Sequence, residues 1–159
     1  MRYLMIASAL LVSGVFLDAR PVYAQAAQAP NVAKMEANKK TVAAFYDAVL
    51  NKKDYDLAIT FVGEAGYKQH NPTAKDGIEG TRGFINFLKE KFPNNKSEIK
   101  RIFADGDFVI VHVHAVREPG TRGNAIMDIF RMDDKGKVVE HWDVVQPIPE
   151  TSQNDNGMF

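Results

Sequence analysis

The spacing of apolar residues changes at Pro93, and this change constrains the fold more than any other feature of the sequence. Before Pro93, apolar side chains recur at helical period, as at Val42, Phe45, Tyr46 and Val49, which is typical of an amphipathic helix. After Pro93, β-branched and aromatic residues form extended runs that are separated by turn residues. Helices that precede an antiparallel sheet indicate the α+β class.

The first part of the chain is predicted to hold three helices and one short strand. The apolar stripe defines the first helix, and Asp54 is expected to cap a short second helix. Residues 66–71 are predicted as a short strand, because Pro72 disfavours a helix in the residue before it. Thr81 is expected to cap a third helix, which a proline ends.

The second part of the chain is predicted to be a meander of four strands. Their predicted ranges are 99–104, 108–116, 125–132 and 137–146. The dipeptide Asp105-Gly106 fits a tight hairpin, and hairpin connections make the sheet antiparallel. Such a sheet can curl around the helices and leave a pocket between them, where small ligands bind.

The first 24 residues have the pattern of a secretory signal peptide. Arg2 precedes an apolar run at 3–17, and Val22-Tyr23-Ala24 resembles a cleavage site. The run is shorter than the ~20 residues that span a bilayer, so cleavage after Ala24 and a secreted or periplasmic location are predicted. An uncleaved membrane anchor is the alternative. The remaining predicted divisions are a flexible leader at 25–35, a domain at 36–149 and a flexible tail at 150–159.

Composition excludes several classes of protein. The 159 residues contain 20 Lys+Arg and 20 Asp+Glu, so the chain lacks the excess of positive charge typical of nucleic-acid binders. The absence of cysteine excludes disulfides, thiolate metal sites and a cysteine nucleophile. The sequence also contains no G-x-S-x-G elbow, P-loop, G-x-G-x-x-G or H-E-x-x-H motif. Acid–base chemistry and simple binding of a small molecule remain.

Histidines and aspartates in the predicted strands are the candidates for chemistry. Because strand side chains alternate between faces, His112 and His114 share one face, and His141 shares a face with Asp143. Asp128 lies in an apolar strand, where a histidine on the neighbouring strand would offset the cost of burying its carboxylate. Such a pair can move a proton to or from a substrate carbon. The alternative is that strand histidines make ordinary structural hydrogen bonds.

A metal site is a further alternative. His112-x-His114 followed by Glu118 matches the spacing of the first metal motif of the cupins, and these ligand types suit iron, manganese or zinc. Cupins, however, are all-β barrels, whereas three helices are predicted here. His141 also lacks the glycine- and proline-rich setting of the second cupin motif. No metal or organic cofactor is therefore assigned.

Three segments resemble the SnoaL-like proteins of the nuclear-transport-factor-2-like superfamily. They are Tyr67-Lys68-Gln69-His70-Asn71-Pro72, Asp128-Ile129-Phe130-Arg131 and the closing stretch from Gly136 to Pro147, which contains His141-Trp142-Asp143. The resemblance covers about residues 36–149, and the most similar branch is described as predicted aldol-condensation-catalysing enzymes. It implies a cone-shaped α+β barrel with helices packed in a curved, mostly antiparallel sheet, and commonly a homodimer.

The resemblance also implies a role for acidic residues. The founding polyketide cyclase closes a ring by an intramolecular aldol reaction, with an acidic residue as acid–base catalyst and no metal or organic cofactor. The matching candidates are Asp143 or Asp128, with His70, His112 and His141 as polarising or orienting partners. The candidate substrate-binding residues are Asn71, His114, Trp142, Tyr67 and Phe84. The expected function is cofactor-free acid–base catalysis on a small, largely apolar carbonyl compound; a non-catalytic binding or dimerisation module is the alternative.

Overall fold

A computed structural model describes residues 31–159, which form three helices, one π-helical turn and five strands. The signal peptide, its cleavage after Ala24 and most of the leader lie outside the described residues. The helices are α1 (Val32–Asp47), α2 (Tyr55–Ile59) and α3 (Gly77–Lys91), and Ala48–Lys52 is the π-helical turn. The strands are β1 (Lys68–Gln69), β2 (Lys96–Asp105), β3 (Phe108–Val116), β4 (Asn124–Met132) and β5 (Val138–Pro147).

Helix α1 begins earlier than the sequence predicted. The side chain of Asn31 accepts a hydrogen bond from the Lys34 backbone N–H at 3.0 Å and so caps the helix, and residues 32–35 are helical rather than part of a flexible leader. The predicted stripe is confirmed, since Val42, Phe45 and Tyr46 are buried. None of the described helices, in residues 31–159, is both long and apolar enough to span a bilayer.

The start of α3 was also predicted wrongly. Asp76 occupies the N-cap position and the helix begins at Gly77, so Thr81 is a buried residue within the helix. The helix continues through Gly80. Glycine is required at this position because a Cβ there would collide with the backbone of Lys75, which passes close to the helix. In α2, by contrast, the predicted cap is confirmed, since Asp54 accepts from the Leu57 backbone N–H at 3.0 Å.

The five strands form one sheet in the order β1-β5-β4-β3-β2. The pairs from β2 to β5 are antiparallel, as the predicted meander requires, whereas β1 pairs with β5 in parallel. Strand β1 contains only Lys68 and Gln69, which is shorter than the predicted 66–71. Pro72 and the side-chain hydrogen bonds of Asn71 turn the chain away from the sheet after His70, whose N–H still donates to the His141 carbonyl.

Alternation along β3 divides the sheet into an inner and an outer face. Val109, Val111 and Val113 are fully buried against α1, while His112 and His114 point the other way. The helices therefore pack against one face of a curved sheet, which confirms the α+β fold. The space that remains between the helices and the inner face holds the candidate site.

Candidate functional site

A cavity of about 950 Å³ lies between the helices and the inner face of the sheet. This volume lies near the upper end of the range of small-molecule sites. Its walls are largely apolar and aromatic, and the apolar lining residues include Phe45, Tyr46, Val49, Leu50, Tyr67, Phe84, Phe87, Leu88, Val116, Ile126, Phe130 and Val145. Two carboxylates and one imidazole also line it, from Asp128, Asp143 and His141.

Asp128 and His141 form a buried pair across β4 and β5. The Asp128 side chain is 5% exposed, and its Oδ1 lies 2.9 Å from His141 Nε2. Tyr46 donates its hydroxyl to the other oxygen, Oδ2, at 3.2 Å. The histidine partner for Asp128 that the sequence predicted is thus on the neighbouring strand.

Gln69 determines which nitrogen of His141 carries a proton. The Asn71 backbone N–H donates to Gln69 Oε1 at 2.8 Å, so this atom must be the amide oxygen and not the nitrogen. The same oxygen lies 3.0 Å from His141 Nδ1. Because an oxygen can only accept here, Nδ1 carries its hydrogen and donates it to Gln69.

It follows that Asp128 and His141 hold one proton between them. With Nδ1–H committed to Gln69, neutral His141 would present a lone pair at Nε2, which cannot face an ionised carboxylate at 2.9 Å. The pair is therefore either imidazolium with carboxylate or imidazole with carboxylic acid. Burial raises the pKa of Asp128, and the hydrogen bond and charge of His141 act in the opposite direction. Burial and the Asp128 charge also raise the pKa of Tyr46 far above its usual value, so Tyr46 remains a donor.

Asp143 is held differently, by the side chain of Asn71. The Asn71 Nδ2 lies 2.7 Å from Asp143 Oδ1 and 2.8 Å from Oδ2, while the Asn71 oxygen accepts from the backbone and hydroxyl of Thr73. The angle between the two carboxylate oxygens at this nitrogen is much smaller than the angle between its two N–H bonds. One N–H therefore serves both oxygens, and the second has no partner among the described residues, while Asn71 itself lines the cavity.

The same three side chains are the candidate metal ligands. Within residues 31–159, Asp128, His141 and Asp143 are the group of His, Asp or Glu residues whose ligand atoms lie within 4.8 Å of one another. Two carboxylates and an imidazole suit several divalent ions. An ion bound here would have to replace the proton between Asp128 and His141, and the Asn71 contact would have to open.

The cupin-like set proposed as an alternative is not assembled in the described residues. His112 and His114 lie on the outer face, where His112 contacts Arg101 and His114 Nε2 donates to the Arg122 carbonyl at 2.8 Å. Glu118 lies in the exposed turn after β3 and does not join them. The Phe159 ring packs against both imidazoles, with centroid distances of 5.2 Å and 4.8 Å.

Six of the ten predicted site residues line the cavity, and four do not. Those that do are Asp128, Asp143, His141, Asn71, Tyr67 and Phe84. His112 and His114 were placed wrongly, because the three valines that alternate with them occupy the inner face. Trp142 lies between two inward residues and therefore points outward. His70 stacks on that ring at 4.6 Å and binds Glu140 Oε1 at 2.8 Å, away from the cavity.

Sequence reasoning missed Tyr46 and Gln69. Tyr46 was interpreted only as part of an apolar stripe, although a buried tyrosine must find a partner for its hydroxyl, which is a usable signal. Gln69 gave no such signal, because its role depends on the parallel pairing of β1 with β5.

Comparison with known proteins identifies the fold and the family. Residues 42–141 match the family model of the SnoaL-like domain. A comparison with curated proteins found no match. Several solved structures share the fold.

A candidate polyketide cyclase from Bacillus cereus ATCC 10987 is 19% identical with a TM-score of 0.59, over 69% of this chain and 74% of that one. Wild-type IdmH from Streptomyces antibioticus is 22% identical with a TM-score of 0.56, over 68% and 91% of the chains. A SnoaL-like protein of unknown function from Burkholderia thailandensis E264 is 16% identical with a TM-score of 0.59, over 70% and 95%. At these identities the likeness concerns the fold alone, and the family assignment rests on the match over 42–141. The chain therefore belongs to the SnoaL-like domain family.

Proposed function

We propose that the protein binds a small, largely apolar carbonyl compound and transfers a proton at the carbon next to the carbonyl, without a cofactor. One observation carries this proposal: two carboxylates with different surroundings, Asp128 and Asp143, share an apolar cavity within 4.8 Å of His141. Titratable groups in contrasting environments are the usual arrangement for dividing acid and base roles.

Asp143 is assigned the role of base. It is half-buried, lines the cavity and accepts only from Asn71 among the described residues, so lone pairs on its oxygens remain free. It removes a proton from the α carbon, and the electron pair of the broken C–H bond passes to the carbonyl oxygen to give an enolate. The available N–H of Asn71 is the assigned donor to that oxygen.

The Asp128–His141 pair is assigned the role of proton reservoir. It holds one exchangeable proton close to the base, and Tyr46 and Gln69 fix its geometry. The enolate carbon then attacks a second carbonyl, and the resulting alkoxide takes a proton from the Asp128–His141 pair, which Asp143 replenishes, to give an aldol product. In an unsaturated ketone the conjugated enolate instead takes the proton back from Asp143 at a different carbon, which gives an isomer. The aromatic walls formed by Phe45, Tyr67 and Phe130 exclude water and strengthen these interactions.

Deuterium exchange tests the proposal without knowledge of the natural substrate. A panel of apolar ketones is incubated with the protein in D2O, and loss of the α-proton signals is followed by NMR. We expect exchange faster than in buffer, a decrease of ~10²–10⁴-fold in Asp143→Asn, and no change in the control Asp155→Asn in the exposed tail. Equal exchange in the wild type and Asp143→Asn would refute the assignment. Ketone binding without exchange would instead support a non-catalytic binding module.

Export is part of the proposal and rests on residues 1–24 alone. Expression of the full chain in a bacterial host, followed by N-terminal sequencing of the periplasmic fraction, should give a first residue of Gln25. A full-length product that remains with the membrane would indicate an uncleaved anchor instead.

A homodimer is also proposed, with the outer face of the sheet as the contact. Large apolar side chains are exposed there, namely Phe103, Phe108, Met127, Ile129 and Val144. Sedimentation equilibrium should give twice the chain mass, and Met127→Glu should shift it to the monomer. A monomeric wild type would contradict this part.

A further inference from the structure

The charged side chains that line the cavity fall into two groups. Asp128 and Asp143 face each other on one rung of the sheet, whereas Lys75 and Arg117 lie in exposed segments that border the same cavity. An apolar stretch separates the acidic residues from Arg117. Asp128 pairs with Val111 of β3. From Val111 to Val116, where β3 ends, the strand extends about 16 Å at ~3.3 Å per residue.

Arg117 is held in place at this outer end by aromatic rings. Its guanidinium carbon lies 5.8 Å, 6.0 Å and 5.5 Å from the ring centroids of Phe84, Phe87 and Phe92. Cation–π attraction at such distances positions the cation without neutralising it. Phe84 and Phe87 also line the cavity, so the guanidinium lies where its apolar wall meets solvent.

Arg117 also lacks the carboxylate partner that two of the other described arginines, Arg82 and Arg131, have. Arg82 pairs with Glu79 at 3.1 Å and Arg131 with Glu140 at 2.6 Å. In the part of the chain that the structure describes, no carboxylate lies within 4.0 Å of the charged group of either Arg117 or Lys75. A positive charge at the open end of an apolar cavity is complementary to an anionic group on an otherwise apolar ligand.

We propose that the ligand is an elongated apolar carboxylic acid, whose carboxylate binds Arg117 while its carbonyl group lies at Asp143. This inference rests on the proposed function and adds the class of substrate. Arg117 is the specificity-determining residue, because its planar donor groups can bind a carboxylate through two parallel hydrogen bonds. Lys75 contributes a second positive charge to the lining of the cavity.

Binding of simple probes tests the inference independently of catalysis. Isothermal titration calorimetry with decanoate, 1-decanol and decyltrimethylammonium compares three head charges on one apolar chain. We expect the wild type to bind decanoate most tightly, and Arg117→Gln to weaken it about 10-fold while leaving 1-decanol unchanged. Added salt should reduce the preference for decanoate, since the contact is exposed to solvent.

Two variants separate charge from packing. Arg117→Lys keeps the charge and should retain most of the preference, and Arg122→Gln, which lies in the same exposed segment but does not line the cavity, should bind like the wild type. Equal affinity for decanoate and 1-decanol overturns the inference, as does an equal loss of both in Arg117→Gln. Neither result affects the deuterium exchange at Asp143, so the two proposals can fail independently. If none of the three probes binds, the inference of an anionic ligand is overturned.

Discussion

Replacing each member of the Asp128–His141 pair should have unequal effects on stability. In Asp128→Asn, the new amide can donate to the lone pair of neutral His141 at Nε2 and still accept from Tyr46, so every hydrogen bond has a substitute. Exchange of one satisfied hydrogen bond for another costs about 1 kcal/mol or less in the free energy of unfolding. This expectation depends on the Gln69 contact, which fixes the hydrogen of His141 at Nδ1.

His141→Phe removes the hydrogen-bond partner of Asp128, and the phenyl ring cannot replace it. The new ring can keep the stacking on Phe130 and Tyr67, whose centroids lie 4.7 Å and 6.2 Å from the imidazole. The Asp128 carboxylate, however, then has only the Tyr46 hydroxyl as a partner. Removal of one member of a buried pair typically costs about 3–5 kcal/mol, and this is the expected loss at pH 7.

The cost of His141→Phe should also depend on pH in a defined direction. Burial raises the pKa of Asp128 in the folded protein above 3.8, so the folded state binds more protons than the unfolded one just above that pH. Stability is then lost as pH rises through this window. The hydrogen bond and charge of His141 lower the pKa of Asp128, so their removal extends the window upward.

Urea denaturation at pH 5 and pH 7 measures both effects. The difference between the wild type and His141→Phe should be larger at pH 7, and Asp128→Asn should remain close to the wild type at both values. If Asp128→Asn loses as much as His141→Phe, the pair is held as imidazolium with carboxylate, and the expectation that an amide can replace the Asp128 carboxyl group is wrong. An equal loss for His141→Phe at the two pH values would exclude titration of Asp128 as its cause.

Three further predictions concern the fold that supports the site. Gly80→Ala should lower the free energy of unfolding by about 1–3 kcal/mol because its Cβ collides with the Lys75 backbone. Gly83→Ala in the same helix places its Cβ in open space and should raise the free energy of unfolding by roughly 0.5–1 kcal/mol. The midpoints of urea denaturation compare the two variants. Phe130→Ala should cost about 3–5 kcal/mol, since the ring is 2% exposed and packs against Phe45 and Tyr46. Val32→Ala, at the exposed start of α1, should change stability by only about 0.5 kcal/mol in the same assay. His70 and Arg131 lower the pKa of Glu140, so its contribution is present above the unfolded pKa and is lost as pH falls through the folded one. Glu140→Gln should therefore flatten the fall in melting temperature between pH 5 and pH 3, and an unchanged slope would contradict this.

Local alternation made much of the sheet predictable. The bounds of β3, Phe108–Val116, agree with the prediction, because a run of β-branched residues between the turn residues Gly106 and Pro119 strongly favours a strand over a helix. Alternation also placed His141 and Asp143 on one face, and the cost of a buried carboxylate predicted a histidine beside Asp128. These inferences needed only neighbours along one strand or the chemistry of one side chain.

The choice of face for His112 and His114 was a different problem. Alternation groups them correctly but does not say which group faces the helices. The sequence did contain the deciding signal, because Val109, Val111 and Val113 form the more apolar set and should take the inner face. The prediction instead followed the catalytic potential of the histidines. The orientation of the strand is determined by the free energy of burying its apolar side chains, which exceeds any contribution from the two imidazoles.

The organisation of the site depends on an element that single-sequence patterns hardly reveal. Strand β1 has two residues, and its parallel pairing with β5 sets Gln69 beside His141. Gln69 then fixes the tautomer of His141 and with it the proton that Asp128 shares, while Asn71, two residues later, holds Asp143. The Gln69 oxygen also accepts from the Asn71 backbone, so one short segment couples the geometry of both carboxylates. Because Asp128 and Asp143 lie on adjacent long strands, the pairing register of β4 and β5 brings them together, whereas their different hydrogen-bond contacts depend on this short segment.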